Sequence, residues 1–231
     1  MDYSKEFVRY YELLKGEDAF HKQLKWILSN MADKGFRSVL DIGCGTGKHA
    51  ALLRDKGYEV EGLDKNKEMV SYAQKQVEGV KFYNANAVSF DLGRKFDVVV
   101  AIDSVLTFLT EEGGFEKAVI NIYDHLKPGG MFLFTIAFTD KLIPEGFQDY
   151  FEQEFEGVKV ENSLERKKNF LSSKRVVNDD GEKFVSEHKH RIFSEEYVVE
   201  TLKKHGFTAK TEGNYKSEDG YQPLKVVAKK K

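Results

Sequence analysis

Cysteine is nearly absent from this sequence of 231 residues. The single thiol, Cys44, cannot form an internal disulfide, and with no Cys or His cluster beside it no metal site is expected. No apolar run approaches the roughly 20 residues that span a bilayer, and the opening Met1-Asp2-Tyr3-Ser4-Lys5-Glu6 has no basic segment followed by an apolar one. A cytoplasmic protein without membrane contact is the expectation. Charge of one sign is missing too. The 36 basic side chains face 38 acidic ones, for a formal net charge of -2. A phosphate backbone requires a one-sided basic surface, so nucleic acid is not expected as a partner. Arg166-Lys167-Lys168 and Lys229-Lys230-Lys231 are short clusters that read as solvated surface. There is no internal repeat and no low-complexity tract.

What is there is a globular balance of 41% hydrophobic and 32% charged residues. The length suits one α/β domain with a sizeable core and is short for two, so a single domain over 1–231 is expected. Helical periodicity comes first, in Phe7 to Leu14 and Phe20 to Met31, where Phe20, Leu24, Ile27, Leu28 and Met31 recur at three- and four-residue steps. These are capping helices within 1–34. The chain then alternates between strands at 38–42, 59–63, 80–83, 96–102 and 131–138 and helices at 48–56, 67–76 and 115–126. Such alternation predicts a doubly wound, mostly parallel sheet. Between 140 and 192 the pattern turns charged and period-two, in 157–163, 169–177 and 183–192, with Asn178-Asp179-Asp180-Gly181 as a turn signal. An antiparallel insertion after the fifth strand is expected there. Ser194-Glu195-Glu196 offers an N-cap and an acidic first turn for a helix to Lys204, with Gly206 as its stop. Strands at 207–211 and 224–228, separated by a polar loop, bring the sheet to seven strands.

The chemistry is concentrated behind the first strand, where Val39-Leu40-Asp41-Ile42 runs into Gly43-Cys44-Gly45-Thr46-Gly47. Three glycines between a buried strand and a helix let the backbone approach a ligand closely, because no Cβ blocks it and positive φ is open. A tight turn alone would need one. The loop by itself leaves the ligand open. Gly45-Thr46-Gly47-Lys48-His49-Ala50 also fits the dinucleotide fingerprint G-x-G-x-x-G/A, with Asp64 about 20 residues further on. A phosphate-binding Walker loop is excluded, since His49 stands where Ser or Thr must hold magnesium.

Asp41-x-Gly43-x-Gly45-x-Gly47 resembles motif I of the class I S-adenosylmethionine-dependent methyltransferases, and three further landmarks occur in that family's order. Leu63-Asp64 resembles the acidic end of its second strand. Asn84-Ala85-Asn86-Ala87 resembles the segment that meets the adenine, with Asn86 where the family has an acidic residue. Leu126-Lys127-Pro128-Gly129-Gly130 resembles its "LKPGG" turn into the fifth strand. The resemblance implies a Rossmann-like methyltransferase fold with S-adenosyl-L-methionine as cofactor. It implies a binding set of Tyr11, Asp41, Gly43, Cys44, Gly45, Gly47, Asp64, Lys65, Asn86, Ala87, Asp103 and Ser104. Cys44 reads as a small loop residue rather than a nucleophile. Physically, a carboxylate at Asp64 can accept both ribose hydroxyls at the mouth of the sheet. Asn86 offers the adenine a donor as well as an acceptor, and the competing reading is a simple turn.

Closer resemblance is to small-molecule N-methyltransferases, the amino-sugar N,N-dimethyltransferases in particular and glycine N-methyltransferase more distantly. It is carried by Tyr11-Glu12-Leu13-Leu14 and by His188 followed by Ile192-Phe193-Ser194-Glu195-Glu196-Tyr197. It implies a small-molecule acceptor, an amine in the first place, under the 140–192 insertion. The stretch Asp103-Ser104-Val105-Leu106-Thr107-Phe108 departs from the sugar enzymes, which place a histidine near position 108, and it lacks Asn/Asp-Pro-Pro-Tyr/Phe. Candidates for catalysis are His188 and His190, two residues apart on one strand face and able to accept a proton near pH 7, together with Asp103. For both histidines the competing reading is packing, and for the Tyr10/Tyr11 pair it is a place in the core. O-methylation, an NAD-dependent oxidoreductase and a non-catalytic cofactor-binding module stay open as alternatives. The protein is expected to be a monomer or homodimer.

Overall fold

The computed structural model describes residues 5–217 and 220–231. Residues 1–4 of the expected N-terminal cap, and 218–219 of the expected polar loop, lie outside the described residues. Two helices lead, α1 (Lys5–Lys15) and α2 (Glu17–Met31), parted by Gly16 at φ 76°. Then come β1 (Ser38–Ile42), α3 (Lys48–Asp55), β2 (Glu59–Asp64), α4 (Lys67–Gln76), β3 (Lys81–Asn84), β4 (Phe96–Ala101), α5 (Gly114–Asp124) and β5 (Leu126–Ile136). The chain continues through β6 (Gln148–Phe155), β7 (Val158–Lys167), β8 (Phe170–Asp179) and β9 (Glu182–Arg191). It ends with α6 (Glu195–Lys204), β10 (Phe207–Glu212), β11 (Tyr215–Ser217), β12 (Gly220–Gln222) and β13 (Leu224–Lys230).

Seven strands form the central sheet in the order β10-β13-β5-β4-β1-β2-β3. β13 runs antiparallel to both of its neighbours, and the other pairings are parallel. The central strands β4 and β5 read as near-continuous apolar runs, at 98–102 and 131–134, because both faces are covered there. Alternate residues of one strand serve opposite cores. Leu40 and Ile42 of β1 pack with Phe115, Val119 and Phe134 on one side, whereas Val39 packs with Leu24, Ile27 and Leu53 on the other. Helix α6 starts as its composition dictates, with the Ser194 hydroxyl accepting the Tyr197 N–H at 3.1 Å.

Two departures from the sequence reading have local causes. The strand expected from Met131 begins at Leu126, so Lys127-Pro128-Gly129-Gly130 lies inside β5 as an irregularity: Phe96 pairs with Leu126, but Val98 pairs with Met131. Gly130 is obligatory there, since a Cβ would sit 2.9 Å from the carbonyl oxygens of Asp97 and Lys127. Strand β6 carried no signal because its residues are exposed on both faces, so nothing makes apolar and polar side chains alternate. With β7, β8 and β9 it forms a four-stranded antiparallel sheet, and the expected polar loop before β13 holds the short β11-β12 hairpin.

The strand order reverses between β1 and β4. At such a switch point the loops after neighbouring strands diverge and open a crevice at the strands' carboxyl ends. Asp41 and Asp64 stand at those ends.

Candidate active site

The turn from β1 into α3 holds Gly43, Gly45 and Gly47 at φ 69°, 55° and 82°, a left-handed run that favours glycine throughout. Their surroundings differ. A Cβ on Gly43 would collide with the Val105 side chain, and one on Gly47 would lie 2.8 Å from the Phe82 ring, whereas one on Gly45 would meet only Tyr11, at 3.9 Å. The first and third glycines thus let protein pack against protein, and the second leaves room between the loop and α1. Asp64 is buried and held by backbone donors: Gly45 N–H to Oδ2 at 3.0 Å and Asn66 N–H to Oδ1 at 2.8 Å. Burial raises its pKa against these donors.

A cavity of about 250 Å³ opens over this turn, walled by Gly43, Asp64, Lys65, Asn86 and Ala87. The Oδ1 of Asn86 accepts the Val88 N–H at 3.2 Å, so its carbonyl oxygen makes the local turn and its amide NH2 is the group left to meet a ligand. Cys44 packs into the core among Leu24, Val60 and Val70, and burial pushes its thiol well above the usual range, which fits an inert loop residue.

Beside the cavity lies a partly buried polar cluster. Asp103 and Ser104 follow β4 in consecutive left-handed conformations, φ 58° and 60°, which non-glycine residues adopt only when their surroundings hold them. Asp103 is held by an ion pair with Lys15 of α1 and by the Gln23 amide of α2 at 2.5 Å. The Ser104 hydroxyl accepts the Ala137 N–H at 2.7 Å, and its carbonyl accepts Thr107. Ser104, among the candidate cofactor ligands, thus spends its side chain on tying the loop to the end of β5. Gln23 also accepts from His49 Nε2 at 2.9 Å; because its NH2 serves Asp103, its oxygen faces the ring, and His49 carries its proton on Nε2. Burial and the Lys15 charge depress His49 to about 3. Burial raises Asp41 to about 8, and its Oδ2 is buried with no hydrogen-bond partner among the described residues.

A second cavity, about 410 Å³, lies under the four-stranded sheet with Tyr11, Phe108, Phe138, His188 and His190 on its walls. Phe108 and His188 also wall the first cavity, so they form the partition between the two. Of the tyrosine pair, Tyr11 faces this space, while Tyr10 is buried against Phe184 and donates to Asp179 Oδ2 at 2.6 Å. The two histidines share one strand face, but their chemistry differs. Thr107 Oγ1 donates to the Ser104 carbonyl, so it accepts from His190 Nδ1 at 3.0 Å, and His190 Nε2 then accepts from Ser173 at 3.2 Å. Both nitrogens of His190 are thus hydrogen-bonded within the protein, and burial lowers its pKa to about 3, so it stands as a neutral ring in the cavity wall. His188, beside Ser186 Oγ at 2.6 Å, is lowered to about 4, chiefly by burial, with the Arg175 charge adding to it. Lys15, Gln23 and His49 left no mark as site residues in the sequence: they come from separate elements, and no spacing connects them.

An acidic residue ending β2, glycines in the β1 turn and a buried carboxyl oxygen without a hydrogen-bond partner among the described residues suit a ligand bearing both hydroxyls and a cation. Residues 39–130 match a methyltransferase-domain family model. The chain is a class I S-adenosylmethionine-dependent methyltransferase, an enzyme with S-adenosylmethionine as its cofactor. It is similar to a putative methyltransferase, YqeM, of Bacillus subtilis, at 29% identity over 87% of this chain and 85% of that one. It is also similar to the dTDP-3-amino-3,4,6-trideoxy-alpha-D-glucopyranose N,N-dimethyltransferase of Streptomyces venezuelae, 33% identical over 48% of this chain and 46% of the other. Its fold is that of an S-adenosylmethionine-dependent methyltransferase from Clostridium acetobutylicum, with a TM-score of 0.83 at 20% identity over 96% of both chains. The dinucleotide and non-catalytic alternatives are thereby set aside. No helix among the described residues is long and apolar enough to cross a membrane, and no group of three or more His, Cys, Asp or Glu among them could hold a metal.

Proposed function

We propose that the enzyme methylates an amine of a small molecule that enters the cavity beneath the β6–β9 sheet. The observation that carries this reading is the partition formed by Phe108 and His188, across which an acceptor nitrogen would meet the cofactor. In this assignment Asp64 accepts from the ribose hydroxyls, Lys65, Asn86 and Ala87 border the adenine, and Asp41, Tyr11 and Asp103 surround the amino-acid end. When bound, S-adenosylmethionine supplies a methyl group already activated as a sulfonium. The protein then has to present an unprotonated nitrogen in line, and such positioning is worth about 7–11 kcal/mol when the reacting atoms are aligned. A neutral His188 can accept a hydrogen bond from the amine near pH 7, and no strong base is required. Similarity to an enzyme named as an amino-sugar N,N-dimethyltransferase supports the choice of nitrogen.

Calorimetry with S-adenosylhomocysteine tests the cofactor assignment. Wild type should bind, and Asp64→Ala should lose about 1.5–3 kcal/mol, the range for hydrogen bonds to a charged group. Labelled-methyl transfer to a panel of amines and their matched alcohols tests the acceptor. Transfer to alcohols and to no amine would overturn N-methylation.

A further inference from the structure

The face that β7, β8 and β9 turn to the acceptor cavity is ordered in rows, because antiparallel register puts cross-strand partners side by side and every second residue on the same face. Val160, Val177 and Phe184 form the first row and pack with Tyr10 of α1. Asn162, Arg175 and Ser186 form the next, followed by Leu164, Ser173 and His188. The middle row holds two unmet demands. Arg175 Nε donates to Asn162 Oδ1 at 2.8 Å, which also fixes the asparagine's orientation. The rest of the guanidinium makes no ion pair or hydrogen bond among the described residues, unlike Lys174, which pairs with Glu187, and Lys15, which pairs with Asp103. Asn162 is 4% exposed, and its Nδ2 is a buried donor with no partner among the described residues. Both side chains line the cavity.

We propose that Arg175 and Asn162 form a carboxylate-binding subsite, so that the acceptor is an amine carrying a carboxylate; this rests on the methyltransferase reading above. The two terminal nitrogens of the guanidinium match the two oxygens of a carboxylate, and the Asn162 N–H adds a third donor. One uncompensated positive charge suits one negative charge. A phosphate dianion would need a second cation, and the neighbouring ones are already paired. Rows on one face are roughly 7 Å apart, so an acceptor whose nitrogen reaches the His188 row has its carboxylate several bonds away. The aromatic surfaces of Phe108, Phe138 and Phe151 in the same cavity suit a flat or apolar body between the two groups.

The test is calorimetric titration of the full chain, with and without saturating S-adenosylhomocysteine, using three probes that share a ring: benzoate, phenyl phosphate and benzyl alcohol. Benzoate should bind saturably and at least about tenfold more tightly than benzyl alcohol, the least that a charged hydrogen-bonded pair contributes. Arg175→Met should abolish that preference while S-adenosylhomocysteine affinity stays unchanged. Arg175→Lys, which keeps the charge and loses the fork, should weaken benzoate by a smaller factor; it serves as the comparison if Arg175→Met does not fold. Equal binding of benzoate and benzyl alcohol, or full benzoate affinity in the arginine variants, overturns the subsite. Tighter binding of phenyl phosphate than of benzoate overturns the choice of carboxylate. Failure to bind S-adenosylhomocysteine overturns the methyltransferase reading itself, whereas binding of it without any benzoate binding overturns only the subsite.

Discussion

Glycines that look alike in the sequence do different work, and substitution separates them. Gly43→Ala places a methyl inside the Val105 side chain, at a φ that already disfavours alanine, and should cost about 2 kcal/mol or more. Gly45→Ala meets the conformational cost alone and should lose about 1 kcal/mol. Thermal unfolding of both, with Val105→Ala added to the Gly43 variant to restore part of its loss, checks the assignment. His188 offers a second measurement at this scale. Because the Arg175 charge helps hold its pKa down, Arg175→Met should raise that pKa above about 4, read by NMR titration of the ring protons. An unchanged value would mean that the Arg175 charge has no part in setting it.

Among the elements, α1 is the one whose attachments decide the site. It reaches Asp103 through Lys15, the acceptor cavity through Tyr11 and the four-stranded sheet through the Tyr10 hydroxyl on Asp179. Tyr10→Phe removes one hydrogen bond and should cost about 0.5–1.5 kcal/mol. The effect should be local. Hydrogen exchange should quicken in 5–15 and at the β8 end, while the strands of the central sheet keep their protection. Uniform acceleration across the chain would show instead that α1 is part of the global folding unit.

Across the whole molecule, buried titratable groups set the pH dependence of stability. His49, His188 and His190 have folded pKa values of about 3, 4 and 3 against 6.5 when unfolded, so the unfolded chain binds more protons between those limits. Stability from these groups is complete above pH 6.5. It falls as the pH drops, by about 1.4 kcal/mol per pH unit for each of the buried His49 and His190 and by less for the partly exposed His188, where solvent screens the charge. Asp41 works in the opposite sense: with a folded pKa of about 8 against 3.8, its contribution is lost as the pH rises through that interval. The three histidines outweigh it on the acid side, so the melting temperature should peak near pH 6–7. His190→Gln should flatten the acid limb and Asp41→Asn the alkaline one, as melting scans across pH would show.

Local chemistry made part of this legible in one dimension. Apolar runs separated by helical periods specify a parallel sheet, because strands covered on both faces bury most of their side chains and favour apolar ones. The Gly43–Gly47 turn and Asp64 are each set by a strand end and its adjoining loop, so the residues proposed for the cofactor could be picked out from short windows. Tertiary structure alone decided the rest. Lys15, Gln23, Asp103, His49 and Asp41 meet from five segments, and Asn162 and Arg175 become neighbours only through the register of β7 against β8. His188 and His190 were visible as a pair, yet what separates them is Thr107 and Ser173, brought in from elsewhere to occupy both nitrogens of one ring. A side chain's pKa and free lone pairs depend on the atoms packed around it, and most of those are distant in the chain.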